Sequence, residues 1–298
     1  MQESDFLILD WPAPANVHAV FTTRSGGVSK APFDSLNLGG GVRDDPLAVH
    51  ANRALLQARI SARPVFLQQV HGVECVAMDA LTPDGTQADA CFTVEKNLVC
   101  TIMVADCLPV LFTNRAGTQV AAAHAGWRGL AEGVLEHTYQ CFRPLGHTDS
   151  AQAATENIAS SIVNGVALGA ENGANAGSNE SSVNSVSSPT SAEDVIAWLG
   201  PCIGPLAFEV GPEVREAFVM ERASDAAFFA PQPGGKYLAN LSGLARSRLA
   251  AFGITAIYGN DGSAPWCTVG NPSQFFSHRR DAARLGSTGR MAACIWLD

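Results

Sequence analysis

The sequence predicts an α/β (α+β) chain in which mixed β-sheets are layered with helices. Two observations predict it. Apolar runs of strand length recur along the chain, as at 17–23, 99–104, 120–125 and 291–297. Between them lie segments whose apolar residues return at helical spacing, bounded by Gly, Pro and Asp turn signals. Alternation of the two kinds is the pattern of a layered α/β fold.

In chain order, 6–9 and 17–23 read as strands, the second closed by Gly26-Gly27. Asp45-Pro46 opens a helix with an N-cap and a proline at its first position. Leu47, Ala51, Ala54, Leu55 and Ala58 are its expected apolar face, with Asn52 and Arg53 on the polar side. Strands follow around 65–78 and 88–94, a pair flanks Asp106-Cys107, and another ends at His124. The segment 129–142 reads as one helix, 195–199 as a strand, 212–220 and 240–252 as helices, and 254–258 and 291–297 as strands. The segment 148–192 differs in kind. It has no aromatic residue, Lys or Arg, and it is dominated by Ala, Ser, Asn, Gly and Glu. Such a composition buries too little apolar surface to offset chain entropy, so a single domain over 1–298, interrupted there by a flexible insertion, is expected. A short helix at 158–168 is the only element it suggests.

Composition narrows the function classes. No apolar stretch reaches the ~20 residues needed to span a bilayer, and the N-terminus carries no secretory pattern. Eight cysteines without a signal sequence point to a reducing, cytoplasmic setting where thiols are buried, ligating or catalytic. A net charge of −9 opposes nonspecific nucleic-acid binding, so neither nucleic acid nor membrane is an expected partner. The sequence does not fix the oligomeric state. No phosphate-binding loop, dinucleotide fingerprint, H-E-x-x-H or P-C-x-x-C occurs, and the seven histidines form no His-x-His pair.

Chemistry concentrates where apolar runs stop. Cys107 ends one such run, His124 ends another, and His71 lies in Gln69-Val70-His71-Gly72. A thiolate and two imidazoles so placed either converge on one metal ion or supply a nucleophile and its base.

Seven motifs, in order, resemble the bacterial laccase-domain family, also called polyphenol-oxidase-like or multicopper-polyphenol-oxidase-like. They are Phe21-Thr22-Thr23-Arg24-Ser25-Gly26-Gly27, Asp34-Ser35-Leu36-Asn37-Leu38-Gly39, Gln69-Val70-His71-Gly72, Ala105-Asp106-Cys107-Leu108-Pro109, His124-Ala125-Gly126-Trp127-Arg128-Gly129, Gly200-Pro201-Cys202-Ile203-Gly204-Pro205 and Ser277-His278-Arg279-Arg280. The resemblance implies a zinc site of His71, Cys107 and His124, with Cys107, His124 and Asp106 as catalytic residues and Asp106 orienting an imidazole or relaying protons. Cys-His₂ ligation leaves a fourth tetrahedral position open, which marks a catalytic rather than a structural zinc.

The implied activity is purine nucleoside phosphorylase on adenosine, inosine and methylthioadenosine, with adenosine deamination, so the partners are a small-molecule nucleoside and phosphate. Arg24, Asn37, Arg53 and Arg279 match family positions and are the candidates for ribose or phosphate contacts. One departure stands out: Gly40-Gly41-Val42-Arg43-Asp44 replaces the family's usual x-His-Val-Gly-Asp, and Arg43 is either a further phosphate contact or a solvent-facing residue. Three alternatives differ in class. Copper at the same ligands makes a polyphenol oxidase. Cys107 with His124 and Asp106 makes a cysteine hydrolase, acting as a peptidoglycan-editing factor. A nonenzymatic binding module leaves the open coordination position unexplained.

Overall fold

A computed structural model describes residues 5–141 and 191–298. Two mixed β-sheets form its centre. The first has five strands in the order Phe6–Leu7, Val17–Thr22, Met291–Leu297, Leu98–Val104, Arg63–Phe66. The second has six, in the order Ala256–Gly259, Val195–Leu199, Leu108–Asn114, Val120–Ala125, Ala90–Thr93, Cys75–Ala77. A small antiparallel sheet of Glu209–Val210, Lys236–Ala239 and Phe229–Gln232 shares a core with the six-stranded one.

Strand period explains the layering. Along Met291–Leu297, Met291, Ala293, Ile295 and Leu297 point into a core shared with Leu111, Ala122 and Trp198 of the second sheet. The intervening Ala292, Cys294 and Trp296 point the other way, onto Leu56 of the helix Pro46–Ile60. Both faces of the central strands are therefore buried, and the sequence there is nearly continuously apolar rather than alternating. The far face of the six-stranded sheet is covered by Leu130, Val134 and Leu135, by Val214 and Phe218, and by Leu244 and Leu249, which lie on four further helices. The expected class, mixed sheets layered with helices, is the one observed.

Several element-level expectations are corrected. The helix Pro46–Ile60 does have Asp45 as its N-cap, accepting from the Leu47 N–H at 2.9 Å. It buries Val49, Asn52 and Leu56, however, and leaves Leu47 78% exposed. Asn52 is inside because its amide is fully used: it accepts from the Val28 N–H and donates to Ser29 Oγ and the Ser35 and Asn37 carbonyls. The expected helix at 129–142 is two helices, Trp127–Glu132 and Val134–Gln140, broken at Gly133 with φ 98°. The expected strand at 65–78 is likewise two strands, Arg63–Phe66 and Cys75–Ala77, and they belong to different sheets. The insertion expected at 148–192, apart from its last two residues, and the helix at 158–168 lie outside the described residues.

Candidate metal centre and its cavity

His71 follows Arg63–Phe66 and precedes Cys75–Ala77, Cys107 lies between Leu98–Val104 and Leu108–Asn114, and His124 is carried by Val120–Ala125 beside Pro109. The ligand atoms of these three side chains all fall within 4.8 Å of one another. Cys107 Sγ is 3.8 Å from His71 Nε2, and the two imidazole rings meet edge to face with centroids 4.8 Å apart. Donors sharing a tetrahedral zinc stand about 3.3–3.8 Å apart, so a small contraction brings the set onto one ion. Among the described residues no further His, Cys, Asp or Glu joins the group. The donor chemistry and spacing fit a metal.

The backbone makes room for this convergence. A Cβ at Gly126 would stand 2.9 Å from His71 Cδ2 and 3.2 Å from Cys107 Sγ, tighter than ordinary contacts allow. Gly126→Ala is expected to push the donors apart and cut metal affinity about tenfold or more while leaving the fold intact, as read by metal titration and circular dichroism.

His71 has φ 64°, a left-handed conformation uncommon for residues other than glycine. Asp89 holds it there. Its buried carboxylate accepts hydrogen bonds from the Val70, His71 and Gly72 N–H groups at 2.8–3.0 Å. The same carboxylate accepts from His124 Nδ1 at 2.8 Å, which leaves Nε2 as the imidazole's donor to a metal. Burial alone raises an acid, but the imidazole and these N–H groups hold Asp89 below its ordinary value. Gln69 ties the loop to the neighbouring strand, with its amide paired both ways to the Met103 backbone at 2.8 and 2.9 Å.

Burial works against a thiolate at Cys107, yet the charge of His124 and hydrogen bonds to both imidazoles outweigh it and bring the thiol down to about 6. Burial also works against a charged His124, but Cys107 and Asp89 raise it to about 9. The metal-free centre is thus a thiolate–imidazolium pair at neutral pH, and the sulfur is already in its ligating form.

Asp106 does not orient an imidazole. At φ 89° it turns away from the histidines, and its oxygens accept from Thr268 Oγ1 at 2.5 Å and the Arg279 N–H at 2.6 Å. It locks two loops onto the Cys107 turn, and Asp89, which no sequence motif marks, takes the orienting role.

The three donors line a cavity of about 530 Å³ whose other walls include Leu67, Met103, Trp127, Ile203, Phe208 and Leu241, with Gly39, Gly40, Gly41, His278, Arg279 and Arg290 at its polar side. That size and mixture suit a small organic ligand.

Known proteins resemble this chain over nearly its whole length. A family model described as multi-copper polyphenol oxidoreductase laccase matches residues 18–164 and 165–298. The chain belongs to that laccase family. Proteins named purine nucleoside phosphorylase from Pseudomonas aeruginosa and Escherichia coli are 44% and 43% identical to it, over 98% and 99% of both chains. A solved Neisseria meningitidis structure aligns with TM-score 0.77 at 39% identity, covering 99% of each chain. The structure of YlmD from Geobacillus stearothermophilus aligns with TM-score 0.76 at 27% identity, over 100% of this chain and 97% of that one.

Of the laccase-family positions expected to contact substrate, only Arg279 lines the cavity, and its guanidinium is held by the Ala207 and Glu209 carbonyls. Arg24 lies elsewhere. It donates to the Asp34 and Pro272 carbonyls and covers the Phe276 ring at 4.7 Å. Arg53 stacks on Phe66 at 3.9 Å and donates to the Leu38 carbonyl. Asn37 is fully buried and bonds to Gly39, Asp44 and the Arg290 N–H. Arg43 is exposed and reaches the Gly286 carbonyl, away from the cavity. Arg24, Asn37, Arg43 and Arg53 brace loops and are not among the residues that line the cavity. Arg24→Gln is accordingly expected to lower stability by about 1–2 kcal/mol in chemical denaturation and leave substrate KM unchanged.

The described residues contain no helix long and apolar enough to cross a membrane.

Proposed function

We propose that this chain is a zinc-dependent purine nucleoside phosphorylase that splits adenosine, inosine and methylthioadenosine with phosphate, and that also deaminates adenosine. Its partners are then a small nucleoside and phosphate. One observation carries the reading: a Cys-His₂ donor set forms part of the wall of a nucleoside-sized cavity instead of being sealed inside the core. The relatives named purine nucleoside phosphorylase support it.

His71, Cys107 and His124 would hold the ion, and one thiolate with two imidazoles suits zinc. When bound, zinc would supply Lewis-acid chemistry at the cavity wall. Asp89 retains the Nδ1 proton of His124 and fixes the ring. Leu67, Met103, Trp127 and Phe208 give the purine apolar and aromatic surface and exclude water from it. Phosphorolysis breaks the N-glycosidic bond, joins a phosphate oxygen to the ribose carbon and returns a proton to the departing base. Metal-replete protein incubated with adenosine and phosphate is expected to release adenine and ribose 1-phosphate. Absence of both base release and inosine formation overturns the proposal.

The ionised pair favours a second reading, a cysteine hydrolase with the Cys107 thiolate as nucleophile, His124 as the acid that protonates the leaving group and then as base toward water, and Asp89 as the residue orienting it. Alkylation of Cys107 in metal-free protein is expected to reach half its maximal rate near pH 6, because the reactive thiolate forms as pH rises through that value. Only the hydrolase also predicts a trappable covalent acyl adduct on Cys107 during turnover. Copper at the same donors, with phenol oxidation, is the reading the family description favours, and elemental analysis of protein produced without added copper separates it from zinc.

A further inference from the structure

We infer that Arg290, together with the backbone N–H groups of Gly40 and Gly41, forms the receptor for the phosphate co-substrate on the cavity wall beside Cys107. The inference deepens the phosphorylase reading and rests on it for the identity of the anion.

Arg290 is half-buried, lines the cavity, and makes no ion pair with a carboxylate among the described residues. Its Nη1 donates to the Thr288 and Gly289 carbonyls at 3.0 and 3.1 Å, which aims the fork, while Nε and Nη2 have no hydrogen-bond partner among the described residues. The charges of Cys107 and Asp106 act on this partly desolvated guanidinium without forming an ion pair with it, so its planar fork stays available to match two oxygens of a phosphate. Arg24, Arg53 and Arg279 differ: their guanidinium groups are occupied by carbonyls, carboxylates or aromatic faces.

The glycine loop is built around this arginine. Asn37 Oδ1 accepts from both the Gly39 and Arg290 N–H groups at 2.9 Å, and the Leu38 N–H donates to the Arg290 carbonyl at 3.1 Å. A Cβ at Gly39 would stand 2.6 Å from Arg290 Cγ, so only glycine lets the arginine stem pass. Gly40 and Gly41 follow on the same wall, and neither N–H is hydrogen-bonded in the described structure. Nothing lies within 4 Å of the position a Gly41 Cβ would take, so the space above it is open. Gly40 and Gly41 share the cavity lining with Arg290, and two successive N–H groups left unbonded by the described residues can complete an anion-binding concavity. The Gly-Gly departure from the family pattern acquires a role here.

The test uses the metal-loaded protein and inorganic phosphate. Arg290→Gln is expected to weaken phosphate binding in calorimetric titration without nucleoside, and to raise phosphate KM, by about 10- to 100-fold. Adenosine KM and metal content should be unchanged, and Arg290→Lys should recover part of the loss. In wild type, phosphate should protect Arg290 from phenylglyoxal, mapped by mass spectrometry; this arm holds even if the glutamine variant does not fold. Unaltered phosphate binding by Arg290→Gln, equal losses for phosphate and adenosine, or labelling of Arg290 indifferent to phosphate each overturns the inference. If phosphate binding at Arg290 is observed but no base is released, the receptor stands and the phosphorylase reading falls.

Discussion

Replacing Cys107 with alanine is expected to strip the protein of its metal and to reduce phosphorolysis by at least about a thousandfold, because the centre loses its only anionic donor. Two imidazoles 4.8 Å apart between ring centroids remain, and neither carries the charge that holds a divalent ion in a half-exposed site. Elemental analysis and a nucleoside assay on the same preparation read the two losses together. Cys100→Ala is the control: Cys100 lies fully buried between the sheets, so its loss should lower stability by about 1–2 kcal/mol and leave metal content alone. A Cys107→Ala protein that keeps a full equivalent of metal, or full turnover, refutes the proposed centre.

The second large effect falls on Asp89, although it belongs neither to the donor set nor to the cavity lining. Asp89→Asn replaces an oxygen accepting two or more N–H bonds by an NH₂ group that donates, so part of the Val70–Gly72 clamp or the His124 bond must break. Loss of a buried charged acceptor is expected to cost about 2–4 kcal/mol of stability in denaturant titration and to lower metal affinity about 10- to 100-fold. The pH dependence has a definite sign. The folded Asp89 carboxyl titrates below its ordinary value, so its contribution is complete above about pH 4 and disappears as acid protonates the folded form. The variant should therefore lose less stability on acidification in that window than wild type does. Equal acid sensitivity in both would show that Asp89 is not the group responsible.

How legible all this was depends on the range of the interactions. The central strands could be read because a buried strand announces itself as a local apolar run, and 195–199 and 291–297 match the observed strands residue for residue. Cys107 and His124 stood out because each closes an apolar run in a distinctive motif, and His71 because of the motif around it. Asp89 did not, because its partners lie 17–19 and 35 residues away and Ala88-Asp89-Ala90 carries no local pattern. Asp106 misled by adjacency: it neighbours Cys107 in sequence, but φ 89° sends its side chain to Thr268 and Arg279. Arg24, Asn37 and Arg53 occupy motif positions for a reason invisible without coordinates, since loop carbonyls and an N–H need partners as much as ligands do. The inward turn of Asn52 has the same origin, tertiary contacts overriding local periodicity, whereas the split at Gly133 is local, a glycine at φ 98°.

Two of the three donors, His71 and Cys107, occupy the stretches where the chain leaves the five-stranded sheet for the six-stranded one, and His124 lies within the latter. Coordination at the proposed centre would rivet one sheet to the other at their shared rim. The complete donor set exists only once both sheets are assembled and docked, so tight metal binding would double as a readout of completed folding. Chelation should loosen that rim first, visible as faster amide exchange at 68–72 and 105–108 before the rest of the sandwich responds.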